Sequence, residues 1–318
     1  MDRAADLENR SGGEGMEHTR PYVIFNPQAN RGTASRLRQE LVRCLEQHGG
    51  ADLVETTRPG DATQLASQAL EQGYGMIVAA GGDGTVNEIV NGCLSYAGAD
   101  GPVTLGIIPI GSGNDLAWTI GISPDLETAC AQVFNGERKV IDMGRITDEG
   151  GRSRYFCNGV GIGFDGTVAR EVHKITWAGG FTKYLLGLAR TFVFYYKAPT
   201  TVIRYGDKEI SDNIMMLTVS NGKRHGGGFM ITPEAALDDG ILDLCIVRRL
   251  GRLSILQLIP KFLKATHVGD PRVQMDQGQR VVVEVPDGLA THLDGEIFAE
   301  AARRLEIEIL PRRLTVIV

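Results

Sequence analysis

The sequence predicts an α/β domain followed by an antiparallel β-sandwich. In the first half, apolar runs of strand length lead into polar turns and then into apolar residues at helical spacing. From residue 140 onwards, short β segments follow one another with few helices between them. We therefore expect a disordered lead-in at 1–20, a three-layer α/β domain at 21–144 and a β-rich domain at 145–318, whose last strand can return to the first domain.

The elements of the first domain follow from apolar periodicity. Its strands are predicted at 22–25, 54–57, 76–80 and 103–108. Helices are predicted at 37–45 and 62–72, and a shorter one begins near Leu116. We expect Asp61 to cap the second helix and Gly92 to end the helix that follows the third strand.

The second domain is predicted from a series of apolar, β-branched segments. They lie at 140–146, 154–160, 201–205, 213–220, 241–247, 281–285, 305–310 and 314–318.

The stretch from Gly81 to Glu88 reads Gly-Gly-Asp-Gly-Thr-Val-Asn-Glu and joins a strand to a helix. At such a turn the backbone can approach a ligand closely and the N–H groups of the helix start are free, which suits phosphate. Asp83 lies inside this turn, where a carboxylate would orient a metal ion or accept a proton. A tight Asp-Gly turn without a ligand is the alternative, but three glycines, an aspartate and a threonine favour a phosphate site.

A second glycine turn, Pro-Ile-Gly-Ser-Gly-Asn-Asp, follows the next strand at 109–115. Because neighbouring parallel strands end at one edge of a sheet, we expect Asp83 and Asp115 to share that edge. Taken alone, Ser112 and Asp115 would be equally well explained as helix caps. Beside the first turn, a functional role is favoured.

Composition excludes several classes of protein. A formal net charge of −6 argues against a nucleic-acid binder. The five cysteines are scattered and form no C-x-x-C pair, which favours reduced thiols and gives no metal site. No run reaches the ~18 apolar residues of a membrane span, and the polar start lacks a signal-peptide core, so we expect a cytoplasmic protein. Met16 is an alternative start to Met1.

Aromatic residues concentrate between Trp177 and Tyr196, interspersed with lysine and arginine. Such a segment suits a membrane interface or the mouth of a lipid groove, although on this pattern alone a core helix is the more frequent explanation. Residues 253–267 combine apolar and basic side chains on a second candidate helix.

Three further motifs lie in the second half. Residues 237–243, Leu-Asp-Asp-Gly-Ile-Leu-Asp, indicate a hairpin turn or a cation-binding loop. Residues 291–296, Thr-His-Leu-Asp-Gly-Glu, place Asp294 and Glu296 on a short turn, with His292 expected to be a packing or surface residue. Residues 161–166 formally match G-x-G-x-x-G, but in this strand-rich half we interpret them as a bulged strand end.

Taken together, five motifs resemble those of one family. In chain order they are GGDGTVNEIVNG, PIGSGNDLA, the segment Asp142-Met143-Gly144, LDDGILDL and LDGE, and the opening FNPQANRG also fits. The set is similar to that of the bacterial diacylglycerol kinase-like lipid kinases, which are related to the sphingosine and ceramide kinases. The likeness covers nearly everything from Tyr22 to Val318, whereas GGDGT alone would also suit NAD kinases and phosphofructokinases.

The resemblance implies ATP and Mg²⁺ bound between an α/β domain and a β-sandwich domain, with lipid entering the cleft. The nucleotide contacts it implies are Asn26, Thr56, Gly81, Gly82, Asp83, Gly84, Thr85, Val86, Asn87 and Ser112. It also implies a structural magnesium site at the Asp239 side chain and the Ala236 and Ile241 carbonyls. A carboxylate–water–magnesium network would join Asp83, Asp115 and Asp142.

The reaction implied is a single in-line transfer of the ATP γ-phosphoryl group to a hydroxyl of a lipid such as diacylglycerol. Asp294 or Glu296 would accept the hydroxyl proton, with Asp294 preferred and Asp83 as a further catalytic residue. We expect Asp294→Asn to abolish transfer with folding unchanged. The alternatives are an NAD kinase-like enzyme with a soluble acceptor and a catalytically silent lipid-binding relative. The expected partners are a lipid substrate and the inner face of the membrane, contacted reversibly, and a homo-oligomer is also open.

Overall fold

The computed structural model of this protein describes residues 20–96, 103–175, 177–178 and 180–318. It confirms the predicted fold class, an α/β first half followed by a β-sandwich. The expectations of a disordered lead-in and of a start at Met16 concern residues that lie outside this description.

The strands, numbered in chain order, are β1 (Tyr22–Phe25), β2 (Asp52–Glu55), β3 (Met76–Gly81), β4 (Val103–Pro109), β5 (Arg138–Asp148), β6 (Ser153–Phe156), β7 (Gly159–Gly163), β8 (Thr200–Tyr205), β9 (Lys208–Ser220), β10 (Arg224–His225), β11 (Phe229–Met230), β12 (Leu242–Arg248), β13 (Val273–Gly278), β14 (Arg280–Leu293) and β15 (Glu296–Ile317). The α-helices are α1 (Arg38–Gln47), α2 (Asp61–Glu71), α3 (Asp83–Tyr96), α4 (Asp115–Thr119), α5 (Leu126–Asn135), α6 (Phe164–His173), α7 (Gly180–Phe194) and α8 (Arg252–Leu263), and a 3₁₀ turn at Thr33–Leu37 precedes α1.

A parallel sheet in the order β2-β1-β3-β4 forms the centre of the first half. Its strands are apolar because helices cover the sheet, and Ile24, Ala79 and Ile108 are fully buried. The turns at the carboxyl ends of neighbouring strands are bonded together, since Asn26 N–H donates to the Ala80 carbonyl at 2.9 Å. This edge carries both glycine turns.

The helix that follows the first glycine turn is longer than predicted. Gly92 does not end α3, which continues to Tyr96. A Cβ atom on Gly92 would lie 2.2 Å from the Thr63 carbonyl oxygen, so this glycine permits close packing of α3 on α2. The glycine that we interpreted as the end of a helix is therefore the point where α3 contacts α2.

Asp61 does not cap α2, because the N-cap position belongs to Gly60. The Asp61 carboxylate turns back and accepts the N–H of Thr57 at 2.8 Å. Glu88 of α3 serves the start of α2 instead, accepting the N–H groups of Gly60 at 2.9 Å and Ala62 at 3.2 Å. A residue distant in sequence thus supplies the cap.

The strands of the second half pair antiparallel and form a sandwich. Residues 281–284 of β14 pair with β8, whereas residues 291–293 of the same strand pair with β7. The strand β9 likewise pairs with β8 in its first part and with β7 in its last part. Aliphatic side chains such as Val283, Ile203 and Leu305 fill the space between the layers.

One long strand connects the two halves. The predicted strands at 305–310 and 314–318 are parts of β15, which has 22 residues. It pairs antiparallel with β14 and β5, and residues 314–316 pair in parallel with β4. The interruption between the two predicted segments is a register shift between Leu310 and Leu314, where Arg312 has φ of 56°.

Helices α6, α7 and α8 enclose a third group of buried apolar side chains beside the sandwich. The helix α6 begins directly after β7, so the 161–166 segment is a strand end followed by a helix that we did not predict. No helix among the described residues has the length and apolarity needed to cross a bilayer.

Candidate active site

Three adjoining cavities form a series that runs from the first half of the molecule into the second. The first, the glycine-turn cavity, has a volume of about 420 Å³ and lies where β1 to β4 end. The second, the cleft cavity, has a volume of about 320 Å³ and shares Gly84, Ser112 and Glu296 with the first. The third, the apolar pocket, has a volume of about 50 Å³ and shares Tyr184 with the cleft cavity. The series therefore passes from polar to apolar surroundings.

Backbone forms one wall of the glycine-turn cavity, because the two glycine turns pack directly against each other. A Cβ atom on Gly111 would lie 2.2 Å from the Cα of Gly82. A Cβ atom on Gly81 would lie 2.4 Å from Thr85 Oγ1. The amides of Asp83, Gly84 and Thr85 precede the intrahelical bonds of α3 and are available to an anion, whereas the Val86 N–H donates to the Gly82 carbonyl at 3.1 Å.

Polar side chains complete this cavity. Asn26 Nδ2 donates to Thr85 Oγ1 at 2.9 Å, and Ser112 Oγ donates to Asn30 Oδ1 at 3.2 Å. Thr56 lies just beyond the end of β2. The structure thus brings together at one cavity the sequence-predicted residues Asn26, Thr56, Gly82, Gly84, Thr85 and Ser112.

Four other predicted nucleotide contacts do not line the glycine-turn cavity: Asp83, which lines the cleft cavity, and three that line neither, namely Gly81, Val86 and Asn87. Gly81 and Val86 are buried in the turn and the helix behind it. The Asn87 side chain points away from the cavity, because its Nδ2 donates to the Tyr155 carbonyl at 3.2 Å and to Asp294 Oδ2 at 3.0 Å. Direct contact between these three residues and a nucleotide stays a prediction.

Asp83 lies beside two other carboxylates at the cleft cavity. Its Oδ1 accepts the N–H of Asp115 at 2.6 Å. Burial raises the pKa of Asp83 to about 7, and the negative charges of Asp115 and Asp294 add to the effect. This concentration of negative charge is favourable only with a proton or a cation nearby.

Asp115, at the second glycine turn, forms hydrogen bonds with residues of the second half of the molecule. Its Oδ1 accepts Arg224 Nε at 2.7 Å and the Gly227 N–H at 3.1 Å. Arg224 also donates to the Gly113 carbonyl at 2.7 Å, and its guanidinium lies 5.1 Å from the Trp118 ring centroid. Sequence reasoning missed Arg224, because its carboxylate partner is 109 residues away.

Asp294 lies in the turn between β14 and β15, with φ of 46°. Its Oδ1 accepts the N–H groups of Asn158 at 2.9 Å and Gly159 at 3.0 Å. Its Oδ2 accepts the Cys157 N–H at 2.8 Å and Asn87 Nδ2 at 3.0 Å. Both oxygens are therefore engaged by the chain, and Asp294 holds its turn against the connection between β6 and β7.

Glu296 occupies the junction between the two polar cavities and is half-buried. Its Oε1 lies 3.0 Å from the position that a Cβ atom on Gly84 would take. Its Oε2 lies 3.8 Å from His173 Nε2. Glycine at position 84 therefore leaves room for this carboxylate.

Asp142 is bonded elsewhere in the molecule. Its Oδ1 accepts the Arg312 N–H and its Oδ2 accepts the Gly240 N–H, both at 2.7 Å. These bonds tie β5 to the register shift of β15 and to the Leu-Asp-Asp-Gly turn. Among the described residues, no hydrogen bond joins Asp142 to Asp83 or Asp115, so its place in a shared network stays a prediction.

Asp239 is exposed, and its Oδ1 accepts the Ile241 N–H at 3.0 Å. Ala236 belongs to the same connection before β12. Within the described ranges, no three or more His, Cys, Asp or Glu side chains are grouped so as to hold a metal ion. The structural magnesium site at Ala236, Asp239 and Ile241 thus stays a prediction.

The apolar pocket lies among α6, α7 and α8. Its lining is almost wholly hydrophobic and includes Phe164, Val168, Leu188, Met215, Phe229 and Phe262. The aromatic stretch forms α7, which has both a buried face, as a core helix would, and exposed apolar side chains, as a membrane-contacting helix would. Leu188 packs inward, while Phe194 is 70% exposed.

The cleft cavity contains cationic and histidine side chains that the sequence analysis did not select. They are Arg31, His173, Lys183, His225 and His292. Little in the sequence indicated that these residues line a cavity, since Lys183 was noted only as one of the basic residues in the aromatic stretch. Arg31 adopts φ of 61° in the turn after β1, and its Nη1 donates to the Trp177 carbonyl at 3.2 Å.

Residues 20–146 match the family model described as the diacylglycerol kinase catalytic domain. Residues 158–318 match the model of the YegS C-terminal NAD kinase beta sandwich-like domain. A diacylglycerol kinase from Bacillus subtilis is 32% identical over 87% of this chain and 89% of its own length. One from Mycobacterium tuberculosis is 30% identical over 93% of this chain and 94% of its own length.

A crystal structure of a diacylglycerol kinase from Bacillus anthracis has a TM-score of 0.71 at 22% identity, over 94% of this chain and 96% of that one. This structure shares the fold. The matches of both family models and of the two relatives confirm the resemblance drawn from the motifs. The chain belongs to the diacylglycerol kinase-like family and is an ATP-dependent lipid kinase.

Proposed function

We propose that this enzyme transfers the γ-phosphoryl group of ATP to a hydroxyl of a lipid such as diacylglycerol, in a Mg²⁺-dependent reaction. The observation that carries the proposal is the series of three cavities. Glu296 lines both polar cavities, and Tyr184 lines both the cleft cavity and the apolar pocket. A phosphate donor, a hydroxyl and an acyl chain would therefore each find suitable surroundings in the order that the transfer needs.

The glycine turns would hold the nucleotide phosphates. The amides at the start of α3 and the hydroxyl of Thr85 are donors that favour negative charge, and the Ser112 hydroxyl can join them by turning away from Asn30 Oδ1. Because glycines form the cavity wall, the phosphates could approach the backbone closely. Little covalent work falls to the protein in such a transfer, so orientation of the two substrates is its main contribution.

The carboxylates at the cleft cavity fit Mg²⁺ bound together with nucleotide phosphates. Mg²⁺ typically takes one or two carboxylates, substrate phosphates and water. Asp83 and Asp115 are adjacent, and burial, followed by the negative charge of Asp115, raises the pKa of Asp83; a divalent cation would offset this negative charge. When bound, Mg²⁺ would neutralise charge on the transferring phosphoryl group.

Two carboxylates are candidates for accepting the hydroxyl proton. Asp294 borders the cleft cavity, but both of its oxygens already accept bonds from the chain. Glu296 lies at the junction of the two polar cavities with its carboxylate partly exposed. A base acting through Asp294 has to share one of its existing bonds, whereas Glu296 has room to turn towards the acceptor.

The test is incubation with γ-labelled ATP and Mg²⁺, separately with a mixed lipid pool and with NAD. Label in an organic-phase product, identified by mass spectrometry, supports the proposal and names the lipid. Label in NADP would support the NAD kinase-like alternative, and label in neither product would support a catalytically silent relative. The apolar pocket and the retained carboxylates favour the lipid kinase over both alternatives.

We also propose reversible contact with the inner face of the cytoplasmic membrane. Phe194 at the end of α7 and Leu253 at the start of α8 are 70% and 76% exposed. The two helix ends are adjacent, because Arg252 Nη2 donates to the Val193 carbonyl at 3.3 Å. Both helices line the apolar pocket, so a bilayer at this rim would deliver lipid directly.

Replacing Phe194 and Leu253 by Ser should weaken binding to anionic vesicles in a flotation assay. Each large apolar side chain contributes about 1.5–3 kcal/mol when buried, so we expect a loss of about tenfold or more for each. Tyr96→Ser, at an exposed position on the first half, is the matched control and should bind normally. Unchanged flotation of the double variant would contradict membrane contact through this rim.

A further inference from the structure

The turn that carries both candidate bases is a tight two-residue hairpin turn. Leu293 and Glu296 face each other across the β14–β15 hairpin, which leaves Asp294 and Gly295 as its two turn residues. Asp294 has φ of 46° and Gly295 has φ of 87°, as a tight hairpin turn of this kind requires. Asp-Gly is a favoured pair for such a turn, so the backbone itself is not strained, and bonds that support the turn from outside set where its side chains point. The direction of both carboxylates therefore depends on what holds the turn.

His292 provides part of that support. Its Nδ1 accepts the N–H of Gly295 at 3.2 Å, while its Nε2 lies 3.3 Å from Asp165 Oδ2. A ring nitrogen that accepts an amide carries no proton, so the proton of the neutral ring lies on Nε2 and faces Asp165. Both nitrogens are thus occupied, and His292 is not available as a proton acceptor for the substrate.

Asp165 connects this histidine to two other elements. It is 5% exposed, at the first turn of α6. Its Oδ1 accepts the Tyr184 hydroxyl of α7 at 3.1 Å, and its Oδ2 accepts Thr218 Oγ1 of β9 at 3.3 Å. Tyr184 is also the side chain shared by the cleft cavity and the apolar pocket. A single buried carboxylate therefore contacts both the helix at the lipid end and the histidine at the catalytic turn.

The backbone is shaped to admit this pair. A Cβ atom on Gly161 would lie 2.2 Å from His292 Nε2 and 2.3 Å from Asp165 Oδ2. Any side chain at position 161 would thus occupy the space where the two side chains meet. This explains one glycine of the 161–166 segment, which belongs to no nucleotide site.

We infer that Asp165 and His292 are positioning residues, which hold the Gly295 amide and so direct the Asp294 and Glu296 carboxylates at the acceptor hydroxyl. The inference rests on the proposed function, because it concerns the acceptor side of that reaction. The Asp165 contact to Tyr184 makes the position of the turn depend on the helix that borders the lipid pocket. Neither residue need touch the reacting atoms.

Two replacements of one residue separate the two contacts. In His292→Asn the amide oxygen can take the place of Nδ1 and accept the Gly295 N–H, whereas in His292→Gln the amide reaches the place of Nε2 and contacts Asp165 only. We expect kcat to fall about 10²-fold for Gln, which loses the Gly295 bond, because small displacements of a catalytic group cost about that much. For Asn, which keeps that bond but loses the support of Asp165, we expect a smaller fall of about fivefold. The KM for ATP should not change in either, since His292 does not line the glycine-turn cavity.

His48→Asn and His48→Gln are the matched controls, because His48 stacks on Phe134 in the first half at a centroid distance of 5.9 Å. Both should transfer phosphate at the wild-type rate. Thermal unfolding and ATP binding of every variant show whether it is folded. Equal loss in the two His292 variants, or a Gln variant within threefold of wild type in kcat, would overturn the inference.

A spectroscopic measurement tests the pair without any lipid substrate. In protein labelled with ¹⁵N-histidine, the His292 resonances are those that disappear in His292→Asn. We expect the shifts of a ring protonated on Nε2 and unprotonated on Nδ1 at neutral pH, and the opposite tautomer would overturn the inference. A wild-type protein that labels no lipid while showing the expected tautomer would contradict the proposed function and leave the contacts of the pair established.

Discussion

Replacing Asp294 by Asn should reduce both transfer and folding stability. The sequence alone led us to expect loss of transfer with folding unchanged, but the bonds of this carboxylate argue otherwise. Each oxygen accepts two N–H groups, so the amide nitrogen of an asparagine would face donors in either orientation. Asn87 cannot simply turn its amide round to compensate, since its Oδ1 accepts Arg154 Nη2 at 2.8 Å.

The size of the effect follows from the number of bonds lost. Two of the four bonds to Asp294 would be replaced by donor–donor contacts. A hydrogen bond to a charged group contributes about 1.5–3 kcal/mol, and because Asp294 is half-buried we take the lower value. The free energy of unfolding should therefore fall by about 3 kcal/mol, which is about a hundredfold in the folding equilibrium.

Urea unfolding measures this change, and the slope with denaturant should stay the same. Glu296→Gln is the informative partner, because its side chain is partly exposed and its stability should change by less than about 0.5 kcal/mol. Glu300→Gln, on the same strand, outside both cavities and with a side chain that is 70% exposed, controls for the substitution itself. An Asp294→Asn protein as stable as wild type would refute the structural role. Transfer lost only in Glu296→Gln would identify the base as Glu296.

Two further predictions concern stability outside the site. Gly92→Ala should destabilise the protein by about 1–3 kcal/mol in urea unfolding, because the new methyl group would overlap the Thr63 carbonyl; an unchanged midpoint would contradict this close packing. Hydrogen bonds from Arg272 and Lys261 lower the pKa of Asp270, so this carboxylate contributes stability above its unfolded pKa of about 4 that is lost as pH falls below it. Asp270→Asn should accordingly be less stable than wild type at pH 7, and the difference should shrink in acid; a difference independent of pH would refute the assignment.

The first half of the site could be predicted from sequence because its geometry is local. A glycine turn after a buried strand indicates where the backbone turns and which amides are free to bind a ligand. Parallel strands then bring such turns to one edge without further information, which is why Asn26, Thr85 and Ser112 line one cavity as expected. In this half, the few residues of each motif are enough to predict where its backbone and side chains lie.

The second half could not be predicted in the same way, because its contacts join residues far apart in the chain. Nothing near Arg224 indicates that its partner is Asp115, and nothing near His292 indicates Asp165. Sequence reasoning treated His292 as a packing or surface residue; the side chain is buried, and its partners could not be found from the sequence. The Gly92 error has the same origin, since a glycine that ends a helix and a glycine that admits a neighbouring helix look alike in sequence.

The long strand β15 explains how two such different halves maintain a common site. It begins at Glu296, beside Gly84 of the first glycine turn, and its last residues pair in parallel with β4, the strand that leads into the second turn. The same strand is hydrogen-bonded along its length to β14 and β5. Rotation of one half against the other would therefore break backbone pairing, which is costly for buried groups. We therefore expect movement that admits a lipid to occur in α7, which borders the cleft cavity and the apolar pocket and lies outside this sheet.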